Sequence, residues 1–211
     1  MNRLEYKQFY RRNLPHYQPV NAKLFVTFRL AGTLPFDVIN KLKQEKESHA
    51  ANLVKIENLE KRKDAEYLFQ KRLFAKYDKY LDSAKTGPVF LKQESIAEIV
   101  YESILFRNAK FYDLDAFCIM PNHVHLVFQP LTEGCEIFSI SKIMHSLKRY
   151  TSREANKILA RTGQFWQHEN YDHVVRDEDE LTRIIQYILY NPAKAGYVEN
   201  WKDWKWIYCR F

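Results

Sequence analysis

The sequence predicts an α+β fold, with one central antiparallel sheet and helices packed mainly on one face. Three observations lead there. Runs of β-branched and aromatic residues at 23–30, 111–119 and 123–129 read as strands. The last two are separated only by Met120-Pro121-Asn122, so they can pair antiparallel through a short connection. Segments with apolar residues at helical spacing lie between and after these runs.

Residues 1 to 22 are polar, contain Pro15 and Pro19, and read as an irregular arm. The first strand, Lys23-Leu-Phe-Val-Thr-Phe-Arg-Leu30, is bounded by Gly32 and Pro35. From Pro35 to about Ser83 the chain is charged, with Phe69, Leu73, Tyr77, Tyr80 and Leu81 at helical spacing. This segment predicts one long helix or two, most simply with a solvated charged face. Gly87 and Pro88 break the chain. Ser95-Ile96-Ala97-Glu98 has the form of a capping box before the apolar face Ile96, Ile99, Val100 and Ile104. After the paired strands, Ile140, Ile143, Met144 and Leu147 mark another amphipathic helix. Phe165-Trp166-Gln167 and 171–176 are extended. Asp177 and Glu180 form a second capping box, opening a helix with Leu181, Ile184, Ile185 and Ile188. Asn191-Pro192 is expected to end it, because the residue before proline is pushed out of the α region. The order strand, helix, strand, strand, helix, strand, helix is compatible with a ferredoxin-like core.

The chain has 211 residues, which suits one domain of ordinary size, or one domain carrying a large insertion. Its 46 % hydrophobic content supports a sizeable core, and its 15 % aromatic content is also what base stacking requires. Lys and Arg outnumber Asp and Glu by 33 to 26, a balance that favours polyanionic partners. Cys118, Cys135 and Cys209 are odd in number and widely spaced, which argues against a disulfide framework and points to a reducing cytoplasm. No apolar run approaches the roughly 20 residues of a membrane helix, and the start has no apolar leader. The expectation is a soluble cytoplasmic protein with no membrane partner.

Two constellations carry chemistry. In His123-Val124-His125 on a strand, both imidazoles share a face while Val124 enters the core. Alone, such a pair is more often two surface histidines; as metal ligands they need a third, oxygen donor. Tyr187 and Asn191, at i and i+4 on a helix, lie one above the other at the edge of the apolar stripe, with Arg183 one turn earlier. A tyrosine there is otherwise an ordinary side chain with its tip in water. A phenol attacks phosphorus poorly at neutral pH unless a cation assists. A divalent ion on the two histidines would supply that help, and Asn191 could complete its ligands. Lys148, Arg149 and Arg153, on the exposed face of their helix, are candidates for backbone phosphates. Tyr190 points away from the apolar stripe and is a weak rival nucleophile. His168 and His173 read as supporting residues. Trp201, Trp204, Trp206, Tyr208 and Phe211 read as core cover.

At this point the chain resembles a known family. Phe117-Cys-Ile-Met-Pro-Asn-His-Val-His-Leu126 is similar to the metal strand of the HUH single-strand transposases. Gln186-Tyr-Ile-Leu-Tyr-Asn-Pro-Ala-Lys-Ala-Gly-Tyr-Val198 looks like the tyrosine helix of the REP-associated tyrosine transposases, and Phe165 to Arg176 resembles the segment that joins the two. The likeness covers 111–206 well and 23–30 loosely. It implies a ferredoxin-like palm with the histidines on a central strand. It further implies metal-dependent cleavage and rejoining of single-stranded DNA, through a 5′-phosphotyrosine on Tyr187, beside hairpins or imperfect palindromes. His123, His125 and Asn191 would hold a divalent metal, Mg or Mn. Lys148, Arg149, Arg153 and Arg183 are the candidates for contacts to that DNA, and monomer and homodimer are both left open. Residues 1–211 would form a single transposase domain. The stretch 36–85 departs from the compact family pattern, as a helical insertion. The alternative readings are a hairpin-binding module without chemistry and a metal-dependent phosphoesterase that needs no tyrosine.

Overall fold

The computed structural model describes residues 10–11, 15–16, 21–83, 87–133 and 136–211. The strands are β1 (Tyr10–Arg11), β2 (Pro15–His16), β3 (Leu24–Arg29), β4 (Tyr112–Ile119), β5 (His123–Pro130), β6 (Thr132–Glu133), β7 (Glu136–Ile137), β8 (Tyr171–Val174) and β9 (Ile207–Cys209). The helices are α1 (Phe36–Leu53), α2 (Leu59–Ser83), α3 (Glu94–Arg107), α4 (Ile140–Ile158) and α5 (Glu178–Lys194). Most of the arm at 1–22, and Cys135, lie outside the described residues. The chain divides into two compact units, residues 1–31 with 89–211, and residues 32–88.

The larger unit is built on a five-stranded sheet in the order β8-β3-β5-β4-β9, antiparallel throughout. The predicted α+β class holds. Because side chains alternate along a strand, each central strand sorts its residues onto two faces. On one face, Leu24, Val26 and Phe28 of β3 join Val124, Leu126 and Phe128 of β5 and Tyr112, Leu114, Phe117 and Ile119 of β4. Ile96, Val100 and Ile104 of α3 and Ile143, Met144 and Leu147 of α4 close over this layer. The other face carries Phe25, Thr27, His123 and His125, and there α5 contacts β4 and β5. Of the three helices in this unit, two cover the apolar face and α5 alone covers the histidine face.

Details depart from the sequence reading in three places. Ser95 does not cap α3: the helix begins at Glu94 after Gln93, with no side-chain cap, and Ser95 lies inside the first turn accepting from Gln93 Nε2 at 3.1 Å. Pro192 does not end α5, which runs on to Lys194 with the proline inside it. A proline so near the C-terminus removes a single backbone bond. Buried contacts of Asn191 hold the preceding residue helical, and Gly196 at φ 76° then ends the helix. Trp206 and Tyr208 pack on the core as read, but residues 207–209, for which no strand was expected, form the edge strand β9 beside β4. Of the second capping box, Asp177 accepts from Glu180 N at 2.7 Å as read, while the Glu180 carboxylate accepts at 3.0 Å from Arg176 N, one residue before the cap.

In the smaller unit α1 and α2 form an antiparallel hairpin. Asn58 accepts from Lys61 N at 3.0 Å and so starts α2. The two helices meet through Glu45 with Lys76, through His49 with Glu66 at 3.1 Å, and through the stack of His49 on Phe69 at 3.8 Å. Leu34, Val38 and Leu81, flanked by Leu42 and Tyr77, make its apolar cluster. That cluster is small because many positions are charged. Exposed ion pairs contribute only about 0–1 kcal/mol each.

Two polar anchors fix the α3–α4 layer. Arg107 reaches from α3 to the Ser146 carbonyl and hydroxyl on α4, at 3.1 and 3.0 Å, while also bonding Ser103. Tyr112, fully buried, donates to the Ile104 carbonyl at 2.7 Å. Burial holds its phenol far above the ordinary value of 10. Below pH about 10 the phenol is neutral in both folded and unfolded chains, so its full contribution is present. Above that the unfolded chain loses the proton first, and stability falls by about 1.4 kcal/mol per pH unit. Urea denaturation between pH 9 and 11 is expected to show this decline, and Tyr112→Phe is expected to flatten it.

Candidate active site

The site starts with the register of β5. Val124 faces the apolar core, so His123 and His125 emerge together on the other face, both fully buried. Across the strand pair, His125 stands opposite Thr27 and His123 opposite Arg29. The two Nε2 atoms are 3.0 Å apart and the rings are nearly perpendicular, at 77°. Two nitrogens bound at right angles to one divalent ion, each about 2.1 Å from it, would stand about 3.0 Å apart. The pair therefore fits a shared cation.

The outer nitrogens are also engaged. Nδ1 of His123 is 2.6 Å from Asn122 Oδ1, and Nδ1 of His125 is 2.8 Å from Thr27 Oγ1. The sequence reading missed both partners. Their signals were available: Asn122 adjoins the first histidine, and Thr27 is a hydroxyl in the middle of an apolar strand.

α5 closes the site. Its N-terminus is set by Asp177, and the buried Leu181, Ile188 and Leu189 seat it on the sheet. Asn191 and Tyr187, one turn apart, then face β5. Asn191 Nδ2 lies 3.0 Å from His125 Nε2 and donates to Tyr187 Oη at 3.2 Å. The Tyr187 ring stands edge-on to His125 at 5.4 Å and to Phe25 at 6.2 Å, and Lys194 Nζ lies 5.4 Å over it. Tyr187 is partly exposed; Asn191 is fully buried, and its Oδ1 has no hydrogen-bond partner among the described residues. With its carboxamide turned by half, so that Oδ1 takes the place of Nδ2 beside His125, Asn191 and the two imidazoles would offer the kind of donor set a divalent ion takes. The structure thus gathers His123, His125, Tyr187 and Asn191 at one point.

Residues 90–191 match the family model described as transposase, IS200 like. Over these residues the chain is similar to that family. A putative REP-associated tyrosine transposase of Haemophilus influenzae is 33 % identical over 99 residues, covering 44 % of this chain and 56 % of that protein. The REP-associated tyrosine transposase of Escherichia coli is 28 % identical over 93 residues, 44 % of this chain and 52 % of that one. The chain thus spans about half the length of these curated relatives. A solved structure of a REP-associated tyrosine transposase bound to a REP hairpin aligns with 95 % of this chain and 82 % of its own, at 17 % identity and a TM-score of 0.49. The transposase-family match includes His123, His125, Tyr187 and Asn191 and leaves residues 32–88 outside.

The basic candidates lie apart from this cluster. Arg183 is exposed on α5, three residues past the buried Glu180. Arg149 and Arg153 are exposed on α4, Arg153 pairing with Glu154 at 2.7 Å. Lys148 is half-buried, and its ammonium donates to the carbonyls of Gln167 and His168 at 2.8 and 3.2 Å. It ties the 163–170 segment to α4. That segment continues the sheet edge, with Ala31 N donating to Phe165 O and Gln167 N to Arg29 O, both at 2.8 Å. A cleft of about 230 Å³ between the two is lined by His145, Lys148, Arg149, Gln164, Gln167 and Asn170 among others. His168 is exposed, whereas His173 pairs with the buried Glu180 at 3.2 Å and braces β8 against α5. Tyr190 is exposed against Trp201, on the side of α5 away from the histidines.

Lys148→Gln is expected to loosen this tie, since a hydrogen bond to a charged group contributes about 1.5–3 kcal/mol. Amide exchange over residues 163–170 should quicken while exchange in β4 and β5 stays as in wild type.

Proposed function

We propose that this chain is a transposase that cuts and rejoins single-stranded DNA, with Tyr187 as nucleophile. The observation that supports this best is the continuous line of contacts from Tyr187 Oη through Asn191 to His125 and His123, at 3.2, 3.0 and 3.0 Å. In this reading Tyr187 Oη attacks the scissile phosphorus as the bond to the 3′-oxygen breaks. The 3′-oxygen leaves with a proton as a free 3′-OH, and the phenol proton is given up. The 5′-phosphate remains on the tyrosine. A later attack by a 3′-OH reverses the step and restores the phenol, so no nucleotide cofactor is needed. Asn191, one helical turn from Tyr187, links its hydroxyl to His125, and the Phe25 ring stands edge-on to the tyrosine.

His123 and His125 would hold a divalent metal, Mg or Mn in our reading, with Asn191 Oδ1 as third donor. A half-turn of the carboxamide exchanges Nδ2 and Oδ1 at the point beside His125. When bound, such an ion polarises the phosphate and offsets charge growing on its oxygens. The substrate class we favour is hairpin or palindromic DNA with a single-stranded flank. Arg149, Arg153 and Arg183 are offered for phosphate contacts, and Lys148 for keeping the adjoining segment in place. We further take residues 1–211 as one transposase domain, with 36–85 as a helical insertion, active as a monomer or a homodimer in the cytoplasm.

A gel assay on hairpin DNA with a single-stranded flank tests the reaction. A covalent protein–DNA adduct is expected with Mg²⁺ or Mn²⁺, and none from Tyr187→Phe, which should still bind DNA. Cleavage without an adduct would favour a phosphoesterase, and binding alone a hairpin-binding module. Asn191→Ala is expected to shift the metal concentration required for cleavage upward by about 10-fold or more; unchanged metal dependence would remove Asn191 from the ligand set. For binding, neutralising Arg149 and Arg153 together is expected to lower the slope of log affinity against log salt by about 1–2.

A further inference from the structure

Imidazole binds a metal through an unprotonated nitrogen, so a histidine pair is useful only if each ring keeps its proton on the nitrogen facing away. In the geometry above, both Nε2 atoms face the shared point and both Nδ1 atoms face outward. Each Nδ1 meets a buried oxygen. The Asn122 carboxamide oxygen, 2.6 Å from His123 Nδ1, can only accept. Thr27 Oγ1, 2.8 Å from His125 Nδ1, has lone pairs for the same purpose. Asn122 is 1 % exposed and Thr27 fully buried, so water does not stand in for either. On the inner side Asn191 Nδ2, a donor, lies 3.0 Å from His125 Nε2 and needs a lone pair there.

We propose that Asn122 and Thr27 are positioning residues that fix the proton of each imidazole on Nδ1 and so present two Nε2 lone pairs to one ion. The assignment rests on the reading of His123 and His125 as metal ligands. The pair arises from different parts of the fold. Asn122 comes from the turn that joins β4 to β5. Thr27 comes from β3, held opposite His125 by the strand register. Two neighbouring lone pairs 3.0 Å apart repel one another. The outward hydrogen bonds keep them there, and a cation between them relieves the repulsion.

Two measurements on the full-length protein test this. Long-range ¹H–¹⁵N spectra of the metal-free protein at pH 8 should show both imidazoles protonated on Nδ1; protonation on Nε2 of either ring would overturn the proposal. Titration with Mn²⁺, followed by the spin-resonance signal of the free ion, should show Thr27→Val binding about 10–100-fold more weakly than wild type. Thr27→Ser, which keeps the hydroxyl, and Asn122→Asp, which keeps an acceptor, should each bind as wild type does. Thermal unfolding confirms that each variant is folded. Wild-type affinity in a folded Thr27→Val would defeat the proposal and leave the metal reading standing. No saturable Mn²⁺ binding by the wild type would defeat the metal reading, and the ring spectra would then decide the proton positions alone.

Discussion

The site depends on one constraint, the two-residue period of β5 at the centre of the sheet. With Val124, Leu126 and Phe128 locked into the apolar layer under α3 and α4, His123 and His125 have no freedom to turn elsewhere. A slip of one residue would turn the imidazoles into the apolar layer and the valine onto the polar face under α5. Strands on both sides, β3 and β4, forbid that slip, because each is itself sorted into the same two faces. The stability of the apolar layer and the geometry of the polar one are therefore the same fact seen from two sides.

The second constraint is the seating of α5. An isolated helix shows a tyrosine and an asparagine one turn apart, with nothing to say what they face. Here Leu181 and Ile188 bury one stripe of the helix, and rotation about its axis is fixed by that burial. Asn191 and Tyr187 are carried to His125 as a consequence. The same contact explains why the helix runs through Pro192: the contacts of the buried Asn191 outweigh the local preference of a residue before proline.

Much of this was legible in the residues. The strand at 23–30, the paired strands around Pro121, and the helices beginning near 140 and 178 follow from apolar spacing and caps, and they appear where spacing placed them. The histidine pair and the tyrosine–asparagine pair were visible as patterns. What misled was local chemistry without its surroundings. Ser95 has the form of a cap, but the chain before it turns at Gln93 and draws the serine into the helix. Residues 207–209 are too short a run to announce a strand, and become one because the edge of β4 offers hydrogen bonds beside them. Lys148 looked like one more exposed cation of its helix, until the 163–170 segment presented two carbonyls to it.

By itself the sequence determined which residues share a face, since periods of 2 and 3.6 are properties of the backbone and need no partner. It also placed the charge, the aromatic content and the residue types that suit phosphate chemistry. Only the tertiary structure decided which faces meet. That Nε2 of one histidine stands 3.0 Å from its neighbour and 3.0 Å from an asparagine 66 residues on is set by sheet register and helix seating together. So is the outward support from Thr27, 98 residues before His125. Contacts of that span depend on the packing of every element between them, which no local pattern encodes.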